Sequence, residues 1–510
     1  MRALLFVIAA VAAALAPAAR AAAAPTLPPV RHVFVIVLEN KTFGDTFGGP
    51  GLVNAPYLNN TLVPQGELLT RYYGIGHNSA DNYLAMVAGQ PPTPASKDDC
   101  PDPLKAVAPN AQPPYNIATT DGCDYPANFR TIADQLTEHG FTWKGYNQGI
   151  PAPCSLLKNN PAPGTNYARK HNPFVFFRSL RDSGQCQAND VGLDGLEADL
   201  QAEETTPNLV YIVPDECDDA HTDCTSPFRD SPLANPVIGD QYALQQGDAF
   251  VQKWAPKIIA SPAFKKDGLL IVTFDESVGD ATACCGEQPG PADPAPGGYA
   301  DGIPGPGGGV TGTVLVSPFI SPGAADPSGR HLNTTEYNHY SLLRSLEDLF
   351  GIDEHLGYAA PDGLVPFGAD VFDRVPGAAP ATATLAMLRE RIGAPCAVQP
   401  RSAFEVVRLH GGLVVRGHSR GDCGGGVNVV QVAVARRDGS GCRWLTVAGR
   451  EHRSGGCSDP FWLLARGDGS SWRLQLAHLP AGRYEVRARA VAPGGRSEPP
   501  RTRAVRVRPA

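Results

Sequence analysis

Three apolar runs in this sequence each end in acids or amides. Residues 33–38 run into Glu39-Asn40, residues 209–213 into Pro214-Asp215-Glu216 and on to Asp219 and His221, and residues 269–274 into Asp275-Glu276. Carboxylates, an amide and an imidazole brought to one place repel each other unless a cation neutralises them. Oxygen donors suit Mg, Mn or Ca, and an added histidine admits Zn or Fe. One such pair says little, because acids commonly open loops and cap helices. Three sets behind three similar runs point to a divalent metal site. A candidate nucleophile stands in Gly74-Ile75-Gly76-His77-Asn78-Ser79-Ala80-Asp81-Asn82-Tyr83, which continues into apolar Leu84-Ala85-Met86-Val87. A serine that opens a helix directs its hydroxyl and nearby backbone N–H groups at one spot, which is a seat for phosphate. By type alone the same serine is also an ordinary N-cap.

These groups meet only if secondary structure carries them to one place. The runs at 33–38, 209–213, 269–274 and 312–316 are continuously apolar, as parallel strands buried on both faces are. Amphipathic stretches at 131–139 and 340–350 lie between or after them. Alternating strands and helices over some 350 residues predict an α/β fold with a mostly parallel sheet flanked by helices. In such sheets ligands bind beyond the carboxyl ends of the strands, where the acids stand.

Charge divides the chain. From Gln399 onward there are 19 Arg, no Lys and 8 acidic residues, a balance of +11, against −19 for everything before. Short β-favouring runs at 404–407, 427–434, 474–476, 484–491 and 504–507 predict an antiparallel sandwich resembling immunoglobulin or fibronectin modules. The expected division is a signal peptide at 1–24, a catalytic domain at 25–398 and an accessory β-sandwich at 399–510. Residues 1–24 read as a signal peptide because one arginine, a short apolar core and small residues follow one another. Twelve cysteines without a CxxC pair suit an exported, disulfide-bonded protein, with Cys217–Cys224 and Cys100–Cys123 as local candidates. A net charge of −8 argues against nucleic acid as a partner. Beyond the N-terminus no apolar run is long enough to span a bilayer. The arginine excess leaves association of the C-terminal module with anionic cell-envelope polymers as an expectation.

The segment from His32 through Glu39-Asn40-Lys41-Thr42-Phe43 resembles the E-N-x-(S/T)-F opening of the bacterial phosphoesterase family, which contains secreted acid phosphatases and phospholipases C. The resemblance continues at His77 to Ala85, where the phosphatase branch commonly reads H-P-S-x-P-N-Y-x-A. It returns at Asp219-Ala220-His221, Thr273-Phe274-Asp275-Glu276 and Tyr337-Asn338-His339-Tyr340-Ser341-Leu342-Leu343-Arg344 with Glu347-Asp348. It implies an alkaline-phosphatase-like α/β fold and a secreted, metal-dependent phosphoester hydrolase. Carried over residue by residue, Glu39, Asn40, Asp219, Asp275 and Glu276 hold the divalent metal, Ser79 attacks, and His221 and His339 serve as further ligands or acid/base groups. His77 and Asn82 contact the substrate. Asn78 and Asp81 depart from the pattern, which puts the loop's rigidity in question and adds a carboxylate able to repel an anion. Tyr146, Asn147, Tyr167, Lys170, His171 and Asn172 are polar candidates for the substrate side. The implied substrate is a phosphomonoester, either a small molecule or a phospholipid headgroup. A phospholipase C acting on diesters is the nearest rival, and a non-catalytic envelope-binding protein is the rival from another class.

Overall fold

The computed structural model describes residues 27–48, 54–157, 166–224, 236–293, 306–323, 331–374 and, with short gaps, most of 401–507. The signal peptide expected at 1–24 and the domain boundary expected near 398 lie outside the described residues.

Eight strands form the first sheet: β1 (His32–Leu38), β2 (Glu67–Tyr73), β3 (Trp143–Asn147), β4 (Asp190–Gly192), β5 (Leu209–Val213), β6 (Gly268–Phe274), β7 (Thr313–Val316) and β8 (His331–Asn338), in the order β4-β3-β5-β1-β6-β7-β2-β8. The neighbours β1/β5, β1/β6, β3/β4, β3/β5 and β2/β8 pair in parallel. The run at 312–316, expected to be parallel like the other three, is instead antiparallel to both β6 and β2. An apolar run reports burial on both faces and carries no information on direction.

Alternation within β1 shows why its run is unbroken. Val33, Val35 and Val37 face a core shared with the helices Ser79–Ala88 and His339–Phe350. Phe34, Ile36 and Leu38 face the other core, built with Trp254 and Ile258 of the helix Pro236–Ala260. Each such side chain, wholly withdrawn from water, contributes about 1.5–3 kcal/mol. The predicted helix after residue 131 is Ile132–Glu138, whose N-terminus is closed by a reciprocal Thr131–Asp134 capping box.

The register decides where the chemistry stands. Leu38 lies beside Phe274 and Ile36 beside Ile212, so Glu39, Asp275 and the segment after Val213 leave one edge of the sheet together. Tyr73 lies beside Asn338, so the loop leading to Ser79 and the helix starting at His339 leave that edge too. Backbone bonds extend the pairing past the strands: Glu39 N donates to Asp219 O at 2.7 Å, and Asp275 N donates to Leu38 O at 2.9 Å.

The C-terminal segment is all β. One antiparallel sheet contains Arg401–Leu409, Gly412–Arg420 and Ser471–Leu476, and a second contains Val429–Asp438, Gly441–Leu445, Gly482–Val491 and Arg501–Val507. Phe404, Leu413 and Val415 of the first share one core with Val430, Val432, Val434 and Val486 of the second, which makes the pair a sandwich. Among the described residues no helix is long and apolar enough to cross a membrane.

Candidate active site

Ser79 is the first residue of the helix Ser79–Ala88, every residue of which is buried. Its Oγ donates to Glu39 Oε2 at 2.8 Å. Three features fix that meeting. Asp99 accepts from Ala80 N at 3.1 Å and so holds the helix start. Gly74 lets the preceding loop press on β6, because a Cβ there would stand 2.6 Å from Asp275 O. Asn82 ties the loop to the helix: its Oδ1 accepts from Ile75 N at 2.7 Å and Gly76 N at 3.1 Å, and its Nδ2 donates to Gly76 O at 3.1 Å.

Asn40 joins the two strand ends. Its φ of 49° is left-handed, a conformation asparagine tolerates. Its N–H donates to Asp275 Oδ1 at 2.9 Å, and its Nδ2 donates to Glu39 Oε2 at 3.0 Å. Lys41, wholly buried, holds this turn from behind, with Nζ 3.0 Å from Asn40 O and 2.7 Å from Asp240 Oδ1. On the other side of Glu39, His171 Nε2 lies 3.3 Å from Oε1, close enough for charge attraction but not aligned as a hydrogen bond. The His171 ring stacks on Tyr83, with centroids 5.2 Å apart and planes 11° from parallel.

Burial raises the proton affinity of every carboxylate here, and the neighbours decide which one ionises first. Glu39 resists that rise: the charges of His171 and, behind it, Lys170 hold it well below the usual carboxylate range. Asp275 is pushed well above that range by burial and then by the charges of Glu39 and Glu276. Asp219 is pushed up by burial and then by Glu39. Lys170 is half-buried, yet Asp99 and Glu39 keep it protonated, and its Nζ lies 3.2 Å from Asp99 Oδ2. The arrangement therefore concentrates one ionised base, a hydroxyl bonded to it and a fixed cation.

The donor chemistry bears on the metal. Glu39 Oε1, Asp219 Oδ2 and Asp275 Oδ2 are each buried without a hydrogen-bond partner. Orphaned carboxylate oxygens are rare because each forfeits its hydration. Three of them at adjoining strand ends fit a hard divalent cation in donor type. Among the described residues, however, no three His, Cys, Asp or Glu side chains stand close enough together to hold an ion as they are.

Several expected residues are placed differently from the roles assigned to them. Glu276 turns toward the Ser79 loop, with Oε2 3.4 Å from Asn82 Nδ2 and 3.6 Å from His77 Nδ1. His77 is buried and donates Nε2–H to Asp280 O at 2.8 Å, so it braces the loop and does not face a substrate. Asn82 likewise spends its amide on loop backbone and on Glu276. His339 is wholly buried between Tyr72 Oη, 3.1 Å from Nδ1, and Asp275 O, 2.5 Å from Nε2. A carbonyl only accepts, so Nε2 carries the proton and Nδ1 accepts from tyrosine. With both nitrogens engaged and its pKa lowered to about 4 by burial, His339 positions Asp275 and is not placed to exchange protons with a substrate. His221 is exposed beside Asp219, whose Oδ1 accepts from its backbone N at 2.8 Å.

The two departures from the family pattern resolve physically. Asn78 donates its side-chain amide to Lys97 O, which anchors the loop without proline. Asp81 is buried, and burial, then Asp99, raise its pKa well above the ordinary value, which favours its neutral form over the charge that would repel an anion. Tyr83 and Lys41 were not singled out from the sequence. Tyr83 had a usable signal, since it stands four residues after Ser79 and so on the same helix face.

A model of the Phosphoesterase family matches residues 53–353, a span that takes in Ser79, Asp219, Asp275 and His339 and begins after Asn40. The chain is 28% identical over 217 residues to the phosphate-repressible acid phosphatase of Penicillium chrysogenum, covering 42% of each chain. It is 25% identical over 246 residues to an acid phosphatase of Aspergillus fumigatus, covering 48% of this chain and 44% of that one. It thus spans less than half the length of these two relatives. It is 24% identical over 337 residues to the phosphatidylinositol-3-phosphatase of Mycobacterium tuberculosis, covering 66% of this chain and 82% of that one. Among solved structures it is similar to a protein in the alkaline phosphatase superfamily from Vibrio parahaemolyticus, at 14% identity and a TM-score of 0.41 over 77% of this chain and 79% of that one.

Proposed function

The chain belongs to the Phosphoesterase family, and from that premise we propose that it is a metal-dependent phosphoric-monoester hydrolase with Ser79 as nucleophile. The observation that carries this reading is the 2.8 Å hydrogen bond from Ser79 Oγ to Glu39 Oε2. A hydroxyl is a weak nucleophile until a base takes its proton. Glu39 is the carboxylate placed to receive it, with Oε2 already accepting from the Ser79 hydroxyl.

In the proposed reaction Glu39 accepts the Ser79 proton as Oγ bonds to phosphorus. The P–O bond to the alcohol breaks, and the departing alkoxide takes a proton at the exposed mouth, where His221 stands. Water then attacks phosphorus, the P–Oγ bond breaks, Oγ takes back the proton held by Glu39, and phosphate leaves with the proton water gives up. Lys170 supplies fixed positive charge against the phosphoryl oxygens. Glu39, Asp219 and Asp275, with Asn40 beside them, are the residues that would hold a divalent ion. Such an ion supplies further positive charge and Lewis acidity toward the reacting oxygens.

Export is part of the same reading. It is supported by the signal-like residues 1–24 and by five disulfides among the described residues, which include both expected pairs, Cys100–Cys123 and Cys217–Cys224. The arginine-rich sandwich is the part we assign to anionic envelope polymers.

The test compares p-nitrophenyl phosphate with its bis ester, before and after EDTA and with single metals restored. Monoester turnover should exceed diester turnover, fall with EDTA and return with one metal. Ser79→Ala should lower kcat by at least about 10³-fold while the protein stays folded. Preference for the diester would favour the phospholipase C reading, and full activity in Ser79→Ala would remove the serine mechanism.

A further inference from the structure

A cavity of ≈ 540 Å³ opens between the loop at Pro113–Pro114, the turn after Cys284–Cys285 and the start of the helix His339–Phe350. None of its lining residues belongs to the cluster around Glu39 and Ser79. Three tyrosines stand in its walls. Tyr340 and Tyr358 meet edge to face at 5.6 Å and 86°, and Tyr115 meets Tyr358 at 6.4 Å and 68°. Glu287 and Asn338 supply the polar part, with Asn338 Nδ2 3.5 Å from Glu287 Oε2. The turn that carries Glu287 is held by the disulfide between adjacent Cys284 and Cys285 and by a bond from Glu287 N to Cys284 O at 3.1 Å.

Two observations point to a ligand and to its charge. Tyr340 is 2% exposed, lines the cavity, and its hydroxyl has no hydrogen-bond partner. A buried hydroxyl left unpaired costs about 1–3 kcal/mol. Among the described residues lining the cavity there is no Lys, Arg or His, while Glu287 and Asp362 are both acids. That set offers an anion no countercharge and gives a cation carboxyl oxygens to meet, and tyrosine ring faces attract cations through their quadrupole. Burial, with Asp81 nearby, holds the Glu287 carboxyl well above its ordinary pKa, a condition an incoming positive charge relieves.

We propose that this cavity binds a protonated primary amine, whose N–H groups donate to Tyr340 Oη and the Glu287 carboxyl while its carbon stem lies against the tyrosine rings. A quaternary ammonium would satisfy the rings but leave Tyr340 Oη unpaired. A neutral sugar or alcohol would satisfy the hydroxyl but forgo the charge. This site stands apart from the hydrolase reading and does not depend on it.

The test is calorimetric titration of the full chain with 1,5-diaminopentane and with its neutral counterpart 1,5-pentanediol. The diamine should bind at least about tenfold more tightly than the diol. Glu287→Gln should weaken diamine binding about tenfold, and Tyr340→Phe should weaken it several-fold, in proteins whose circular dichroism is unchanged. Ser79→Ala should leave diamine binding as it was. Equal binding of the diol, diamine binding that neither substitution alters, or no diamine binding up to about 10 mM would each overturn the proposal.

Discussion

Glu39 carries two opposed demands on one carboxylate. Oε2 accepts from Ser79 and Asn40, while Oε1 has no hydrogen-bond partner and faces His171 at 3.3 Å. As a base it must be ionised, and as a wholly buried acid it resists ionisation. The neighbouring His171 and Lys170 settle the matter in favour of the charge. Glu39→Gln keeps an oxygen able to accept from Ser79 but removes the basicity and the negative charge. We expect kcat on p-nitrophenyl phosphate to fall by about 10²–10⁴-fold, the range associated with losing a positioned base. Because base and nucleophile act as one unit, the double variant Glu39→Gln/Ser79→Ala should be scarcely slower than the worse single variant. Losses that multiply in steady-state assays would show that the two residues act separately.

Parallel strands in register turn separate motifs into one site. Glu39 and Asp275 sit side by side because Leu38 pairs with Phe274, and the helix bearing His339 begins where β2 and β8 end together. That placement converts His339 from an expected proton donor into a strut between Tyr72 and the backbone of Asp275. His339→Ala removes both bonds, so Asp275 loses its positioning while the reacting groups stay in place. Stability should drop by about 1–3 kcal/mol, as for other buried hydrogen-bond partners left unsatisfied. A fall in kcat of about tenfold is expected, well short of the 10²–10⁴ that a direct proton donor commands. His339→Gln, which can still donate to the carbonyl, should recover part of both. Urea denaturation and a pH–rate profile check this together: an unchanged profile shape marks a positioning residue, and loss of the alkaline limb would restore the proton-donor role.

At the scale of the whole chain, what could be read from the sequence was set by burial. The strands β1, β5 and β6 are covered on both faces and stand out as unbroken apolar runs. The edge strand β8, His331–Asn338, mixes exposed, half-buried and buried residues with many polar types and gives no such run. Asn82 and His77 match a substrate-binding motif by type, yet their bonds run to loop backbone, which only the fold reveals. Three buried acids show nothing in the sequence that announces their titration: Asp190, Glu67 and Glu347, the last of them within the family-like stretch, have pKa values that burial raises to about 7, 8 and 9. Glu67 is the extreme case, 0% exposed with neither carboxyl oxygen hydrogen-bonded. In the unfolded chain all three titrate near about 4. Between that value and the folded ones, the native state holds protons that the unfolded state has released. Their stabilising protonated form is therefore complete in acid and is lost as pH rises through the folded values, the opposite of the usual acid denaturation. Each such group contributes up to about 1.4 kcal/mol of lost stability per pH unit across its window. Glu67→Gln puts a non-titrating amide in the same space. Urea denaturation at pH 5 and pH 8 should show the wild-type chain losing stability as pH rises and Glu67→Gln losing less. If the two lose stability in parallel, the Glu67 carboxyl is hydrated in solution and its proton is not held by the fold.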